Sequence, residues 1–266
     1  GSGKTPVVAA LANALLEDGH CVSVITRGYG GRAGARPTRV EAESSAAEVG
    51  DEALELRLRT GRPVWVCRKR AKALAAAIDD GAQVVLSDDG LQHTALPRSF
   101  EICVIDARRG AGNGYCLPAG PLREPADRLE TVDLVLVKCG SGESGNGLSG
   151  ISFELESGEL KCIRGNAAPP RPAAEIDALA GIADPEPFFA TLTARGYRLR
   201  RHALADHQPI TAEMLDALAG PVVMTEKDRM RLPPVARRDL FVLPVHARLL
   251  ESVVQRVLGH VREFRA

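Results

Sequence analysis

The chain has few aromatic residues, no charge imbalance, no paired-cysteine spacing and no long apolar run. Each absence removes a class of function. Aromatic side chains make up only 4 % of 266 residues, too few to supply the successive stacking platforms of a single-strand nucleic-acid binder. Thirty-four basic residues balance thirty-four acidic ones, so no global field gathers polyanions, and nucleic acid is not expected as a partner. The cysteines (Cys21, Cys67, Cys103, Cys116, Cys139 and Cys162) contain no CxxC pair. Several lie in apolar runs, where a thiol acts as a small hydrophobe, so they read as reduced thiols of a cytosolic chain. No apolar stretch approaches the ~20 residues of a membrane span, and no signal-peptide pattern is present. The remaining composition, 45 % hydrophobic and 26 % charged, is that of a globular protein with one large core or two smaller ones.

What is present begins at once. Gly1-Ser2-Gly3-Lys4-Thr5, followed by an apolar helical pattern, reads as the second half of a phosphate-binding P-loop. In such a loop the backbone N–H groups cradle phosphates, the Lys reaches the β and γ oxygens, and the Thr hydroxyl ligates Mg²⁺. Glycine is needed because phosphate approaches the main chain too closely for a Cβ. The chain does not open with Met, and the glycine and strand that complete the pattern would precede Gly1. The sequence therefore reads as a fragment cut inside its own phosphate loop.

Along the chain, short apolar strands at 21–26, 63–67, 83–87, 101–105 and 133–137 alternate with helices opening near Pro6, Asp51 and Arg70. Buried-looking strands separated by helices predict a mostly parallel α/β sheet flanked by helices, of the P-loop NTPase kind. Residues 32–47 are polar and read as a long excursion of the sort that is usually functional. After Cys139 a Gly/Ser-rich stretch (140–150) reads as a flexible connection. Residues 151–163 then read as a β-hairpin around Ser157-Gly158. A second α/β series follows, with strands near 176–182, 197–203, 221–225 and 240–244. The expected division is a P-loop core over 1–148, a hairpin linker over 149–170, and a second, smaller α/β lobe over 171–266.

A P-loop needs a second Mg²⁺ partner, usually an Asp ending a buried strand. Val84-Val85-Leu86-Ser87-Asp88-Asp89 supplies a pair, and adjacent carboxylates are costly without a compensating cation or hydrogen bonds. Either Asp88 or Asp89 can fill the role. Asp106 ends a similar strand and reads as a solvated strand end.

The run Asp88-Asp89-Gly90-Leu91-Gln92-His93 resembles the tetraacyldisaccharide 4′-kinases of lipid A synthesis. The same family pattern appears as Gly3-Lys4-Thr5-Pro6, Arg27-Gly28-Tyr29-Gly30-Gly31, Gly50-Asp51-Glu52 and Gly112-Asn113-Gly114. It continues as Leu117-Pro118-Ala119-Gly120-Pro121-Leu122-Arg123-Glu124, Ala205-Asp206-His207 and Thr225-Glu226-Lys227-Asp228. The resemblance covers nearly the whole chain.

It implies a kinase that moves the γ-phosphoryl of ATP onto the 4′-hydroxyl of a tetraacylated glucosamine disaccharide 1-phosphate. It also implies peripheral work at the cytoplasmic face of the bacterial inner membrane, docked by an apolar N-terminal helix ahead of the present sequence. Gly1, Ser2, Gly3, Lys4 and Thr5 would hold ATP, and Thr5, Asp88, Asp89 and Glu124 would serve Mg²⁺. By the same resemblance Asp51, paired with His207, is the base for the acceptor hydroxyl. From the residues alone, Asp51 reads equally as a helix cap and His207 as a loop histidine. Arg70 and Arg123 match arginines near the phosphates or lipid headgroup, and Gln92 and His93 would shape the site. Lys227 and Asp228 carry no role legible in the sequence. The reading from another class is a P-loop NTPase switch or metallochaperone, which would need partner surfaces or clustered Cys and His but no acceptor base.

Overall fold

A computed structural model describes residues 3–140, 149–206, 208–235 and 237–264. Gly1, Ser2, His207 and most of the 140–150 connection lie outside the described residues.

In chain order the first elements are α1 (Lys4–Glu17), β1 (Val22–Thr26), β2 (Thr38–Arg39), α2 (Ala46–Val49), α3 (Asp51–Thr60), β3 (Val64–Val66), α4 (Arg70–Asp79), β4 (Val84–Ser87) and β5 (Ile102–Asp106). After a 3-10 turn over Ala126–Thr131 come β6 (Leu134–Lys138), β7 (Ile151–Ser157), β8 (Lys161–Cys162), β9 (Glu175–Ala180), α5 (Glu186–Ala194) and β10 (Arg198–Ala203). The chain closes with α6 (Ala212–Asp216), β11 (Val222–Thr225), α7 (Glu226–Arg229), β12 (Leu240–Leu243), β13 (Val245–Arg248) and α8 (Glu251–Glu263).

Three sheets result, in the orders β2-β3-β1-β4, β13-β7-β6-β5 and β10-β9-β11-β12-β8. The central pairings are parallel, and only the edge strands β2, β8 and β13 run antiparallel. This is the mostly parallel α/β architecture expected. β1 reads Val-Ser-Val-Ile-Thr and is buried along its whole length, because helices cover both faces of a parallel sheet. The edges of β4 and β5 line a common cavity of about 440 Å³, closed on one side by Val7, Leu11 and Leu15 of α1.

The expected hairpin over 151–163 does not form. β7 pairs with β6 on one edge and β13 on the other, while β8 joins β12 in a different sheet. The half of β7 nearest the turn, residues 154–157, pairs with β13 in place of the expected β8. The chain also leaves the five-stranded sheet before its end. β13 completes the β5–β7 sheet, and α8 buries Val253 and Val257 with Val7 and Leu11 of α1 and Phe153 of β7. The chain thus returns to its first part after β12. The long excursion over 32–47 is also more ordered than its polarity suggested, since it contributes β2 and the start of α2.

The five-stranded sheet has its own core around Ile176, Phe189, Val223 and Phe241. Its buried polar hub is Asp177, 1 % exposed. Asp177 accepts from Arg200 Nε and Nη2 (both 2.8 Å), from Gly220 N–H (2.7 Å), and lies 2.9 Å from His202 Nε2. The Arg200 hydrogen bonds, outweighing burial and helped by His202 and the Gly220 N–H, hold its carboxyl well below the usual carboxylate range. The stabilisation is therefore complete above the unfolded pKa of about 3.9 and is lost as pH falls below it. Asp177→Asn is expected to cost about 2–3 kcal/mol at neutral pH and to lose less stability than the wild type on acidification. Urea unfolding across pH checks this. An unchanged acid dependence would remove Asp177 as its source.

Candidate active site

The site gathers at the N-terminus of α1. Gly3 takes a left-handed conformation with φ +89°, and α1 starts at Lys4 with no side chain capping it. Open N–H groups at a helix N-terminus, reinforced by the helix dipole, form an anion site. Lys4 Nζ lies 2.5 Å from Asp89 Oδ1, and Arg123 Nη1 lies 3.6 Å from Asp89 Oδ2. The sequence-separated runs at Lys4, Asp88-Asp89 and Arg123 therefore meet in space, at the mouth of the cavity between β4 and β5.

The two adjacent aspartates sit in opposite environments. Asp88 is 3 % exposed, and its Oδ1 has no hydrogen-bond partner among the described residues. Burial, with Glu52 and Asp89 adding to it against Lys4 and Arg70, pushes its carboxyl up to about 6. Asp89 is half-exposed. Burial pushes it upward too, but the Lys4 hydrogen bond and the charges of Lys4, Arg123 and Arg70 outweigh it and hold it below the ordinary value. Asp89 also has φ +51°, a backbone state that Asp tolerates better than most residues and that marks a site held by its surroundings. Arg70 holds it, donating from Nη1 to Asp89 O (2.7 Å) and Ser87 Oγ (3.2 Å). Arg98 holds the next turn through Gly90 O and Leu91 O.

Asp51 is set at the head of α3 by a glycine interlock. Gly28 has φ +72°, and a Cβ there would lie 2.2 Å from Val66 Cγ1 and 2.9 Å from Val49 O. Gly50, with φ +90°, would place a Cβ 2.6 Å from Tyr29 O. Only glycine allows the 27–31 turn to press against the start of α3. Asp51 is 5 % exposed and its Oδ1 accepts from Glu52 N–H at 3.0 Å. One turn on, buried Glu55 has its carboxyl pushed up to about 7 by burial, with Arg59 opposing and Glu226 and Glu52 adding.

The family model for tetraacyldisaccharide-1-P 4′-kinase (LpxK) matches residues 1–262. The chain belongs to this family. A tetraacyldisaccharide 4′-kinase of Alkalilimnicola ehrlichii is 47 % identical over 252 residues, covering 93 % of this chain and 75 % of the relative. Those of Pseudomonas aeruginosa strains are 44 % identical over 253 residues, with the same coverage. LpxK from Aquifex aeolicus, solved in complex with ATP, superposes with a TM-score of 0.77 at 22 % identity, over 98 % of this chain and 85 % of that one. This last likeness establishes the shared fold.

Against the family-based expectations, the geometry makes several changes. Arg70 is 3 % exposed and its bonds go to the strand end behind Asp89, so it braces the loop rather than standing at an open phosphate or headgroup surface. Glu124 is drawn to Gln92 Nε2 (3.3 Å) and Arg128 Nε (3.9 Å). No group of three His, Cys, Asp or Glu side chains able to hold a metal forms among the described residues, so Glu124 is not gathered with Asp88 and Asp89. Gln92 and His93 follow directly on the aspartate pair, in the turn closed by His93 N–H to Gly90 O. Asp106 is not solvated: it is 6 % exposed and paired with Lys138 Nζ at 2.5 Å.

Asp228, which had no legible role, is fully buried and accepts from Gly181 N–H and Thr225 Oγ1. The bracing cations Arg98 and Arg231 escaped sequence reasoning altogether. A lone arginine carries no spacing signal, and only the fold reveals which carbonyls it reaches.

Proposed function

We propose that this chain transfers the γ-phosphoryl of ATP to the 4′-hydroxyl of a tetraacylated glucosamine disaccharide 1-phosphate. The observation that carries the reading is the convergence of Lys4, Asp88 and Asp89 at the open N-terminus of α1, within a chain of the kinase family. Phosphoryl transfer needs mainly positioning and charge stabilisation. The helix N-terminus and Gly1–Thr5 would cradle the phosphates, and the Lys4 ammonium would leave Asp89 to neutralise γ-phosphate charge.

The donor set fits Mg²⁺. A buried carboxylate oxygen on Asp88, with no hydrogen-bond partner among the described residues, stands beside Asp89, and hard oxygen donors suit that ion. Thr5 with Asp88 or Asp89 would hold it, and Mg²⁺ bound there would supply charge neutralisation across the β and γ oxygens. Asp51 would accept the proton of the acceptor hydroxyl, and His207 would orient it. The flanking residues of His207 support this: Asp206 is tied to Lys227 and Gln208 to Arg231, and Arg231 reaches Asp51. Arg123, largely exposed beside Asp89, would meet substrate or nucleotide phosphate.

A substrate with four acyl chains is presented by a lipid surface, so the same proposal places the work at the cytoplasmic face of the inner membrane, with contact made by an apolar helix ahead of Gly1. No helix among the described residues is long and apolar enough to cross a membrane.

The test is a transfer assay on the full-length protein with γ-labelled ATP, Mg²⁺ and tetraacyldisaccharide 1-phosphate in mixed micelles, beside a control without lipid. Label in the lipid is expected. Label released only as free phosphate would replace the kinase reading with an NTPase switch.

A further inference from the structure

We propose that Arg231 is a positioning residue that sets the Asp51 carboxylate from across the cleft, so that the base is competent only when the five-stranded sheet is docked. This rests on the reading of Asp51 as the acceptor base.

Arg231 is held on several sides. Nη1 donates to Gln208 O at 2.9 Å, and Nη2 donates to Gly181 O at 2.9 Å and to Asp228 Oδ1 at 2.6 Å. Asp228, fully buried, is itself pinned by Gly181 N–H and Thr225 Oγ1. The neighbouring Met230 is packed into the other unit, in the core of Val24, Val49 and Val66. The guanidinium therefore has little rotamer freedom, and its side chain is 10 % exposed. Its remaining donor, Nε, lies 4.0 Å from Asp51 Oδ2 and has no hydrogen-bond partner among the described residues.

Two carbonyls and one carboxylate of the second unit thus fix a planar cation, and its free edge meets the buried Asp51. The groups around Asp51 make that cation matter. Glu52 and Glu55 share its helix, and Glu55 is engaged by Arg59, which also holds Glu226 of α7. From across the cleft come Arg231 and, behind it, Asp228. Arg231 is a cation placed 4.0 Å from that carboxylate, where it can fix the orientation in which a base must meet its proton.

The experiment compares Arg231→Gln and Arg231→Lys with wild type in the full-length protein. It measures kcat, KM for ATP and the folded fraction by circular dichroism. Arg231→Gln is expected to lower kcat by about tenfold or more while KM for ATP stays within about twofold. Arg231→Lys keeps the charge but not the fork, so it should recover part of kcat.

Unchanged kcat in Arg231→Gln would overturn the proposal. So would a loss in both variants that follows the folded fraction, which is what a purely structural brace predicts. Asp51→Asn is run alongside. Wild-type turnover in that variant would overturn the base reading and the proposal with it, whereas an inactive Asp51→Asn beside an Arg231→Gln of wild-type kcat would overturn the Arg231 proposal alone.

Discussion

Asp51→Asn in the full-length protein is expected to lower phosphoryl transfer by about 10²–10⁴-fold, the usual contribution of a positioned general base. ATP affinity should stay within about twofold of wild type. The substitution separates function from fold because asparagine keeps the side-chain oxygen that accepts the Glu52 N–H at the head of α3. It keeps the volume as well, so the interlock of Gly28 and Gly50 against this helix start is undisturbed. What it removes is the proposed proton acceptor. A hydroxyl whose proton has no acceptor is a poor nucleophile, and neither the helix N-terminus nor Lys4 can take that proton. Labelled-phosphate transfer to lipid, beside equilibrium ATP binding, checks the result. Turnover within a few-fold of wild type would dismiss Asp51 as the base.

Lys4→Met is expected to lower kcat/KM by about hundredfold or more, the equivalent of about 3 kcal/mol of transition-state stabilisation. The fold should tolerate it. Lys4 is 43 % exposed on its side chain, and Asp89 retains Arg123 beside its carboxylate and Arg70 on its carbonyl. The ammonium now rests on Asp89, so phosphate must draw it away, and part of its attraction for phosphate is spent on that exchange. Once moved, it would lie where negative charge spreads over the γ oxygens, in a site partly shielded from water where such a charge is worth most. Initial rates against ATP concentration, with thermal unfolding as the control for folding, provide the check. An unaltered kcat/KM would mean that the loop at Gly3 does not hold the reacting phosphate.

The sequence by itself determined most of the strands and helices, though not β2 or β13, and it marked the short runs proposed to carry the chemistry. Apolar runs such as Val22–Thr26 and Val222–Thr225 can be satisfied only inside a parallel sheet, and the Gly-Lys-Thr and Asp-Asp-Gly-Leu-Gln-His runs are chemical statements that survive without coordinates. Local pattern reached its limit at pairing. Whether β7 joins β8 or β6 is a choice between edges, set by the whole sheet rather than by the turn at Ser157-Gly158. The amphipathic α8 could have covered either core; its Val253 and Val257 pack against α1 because β13 carries the chain back there.

Charge assignments needed the tertiary structure for the same reason. Asp88 and Asp89 are chemically identical neighbours, yet one is buried with an oxygen that has no hydrogen-bond partner among the described residues and the other is half-exposed between Lys4 and Arg123. Arg70, Asp106 and Arg231 likewise took their roles from burial and from carbonyls or carboxylates distant in the chain. Side-chain chemistry is encoded residue by residue. Burial and electrostatic partnership belong to the folded whole, because they depend on what the rest of the chain brings within a few ångströms.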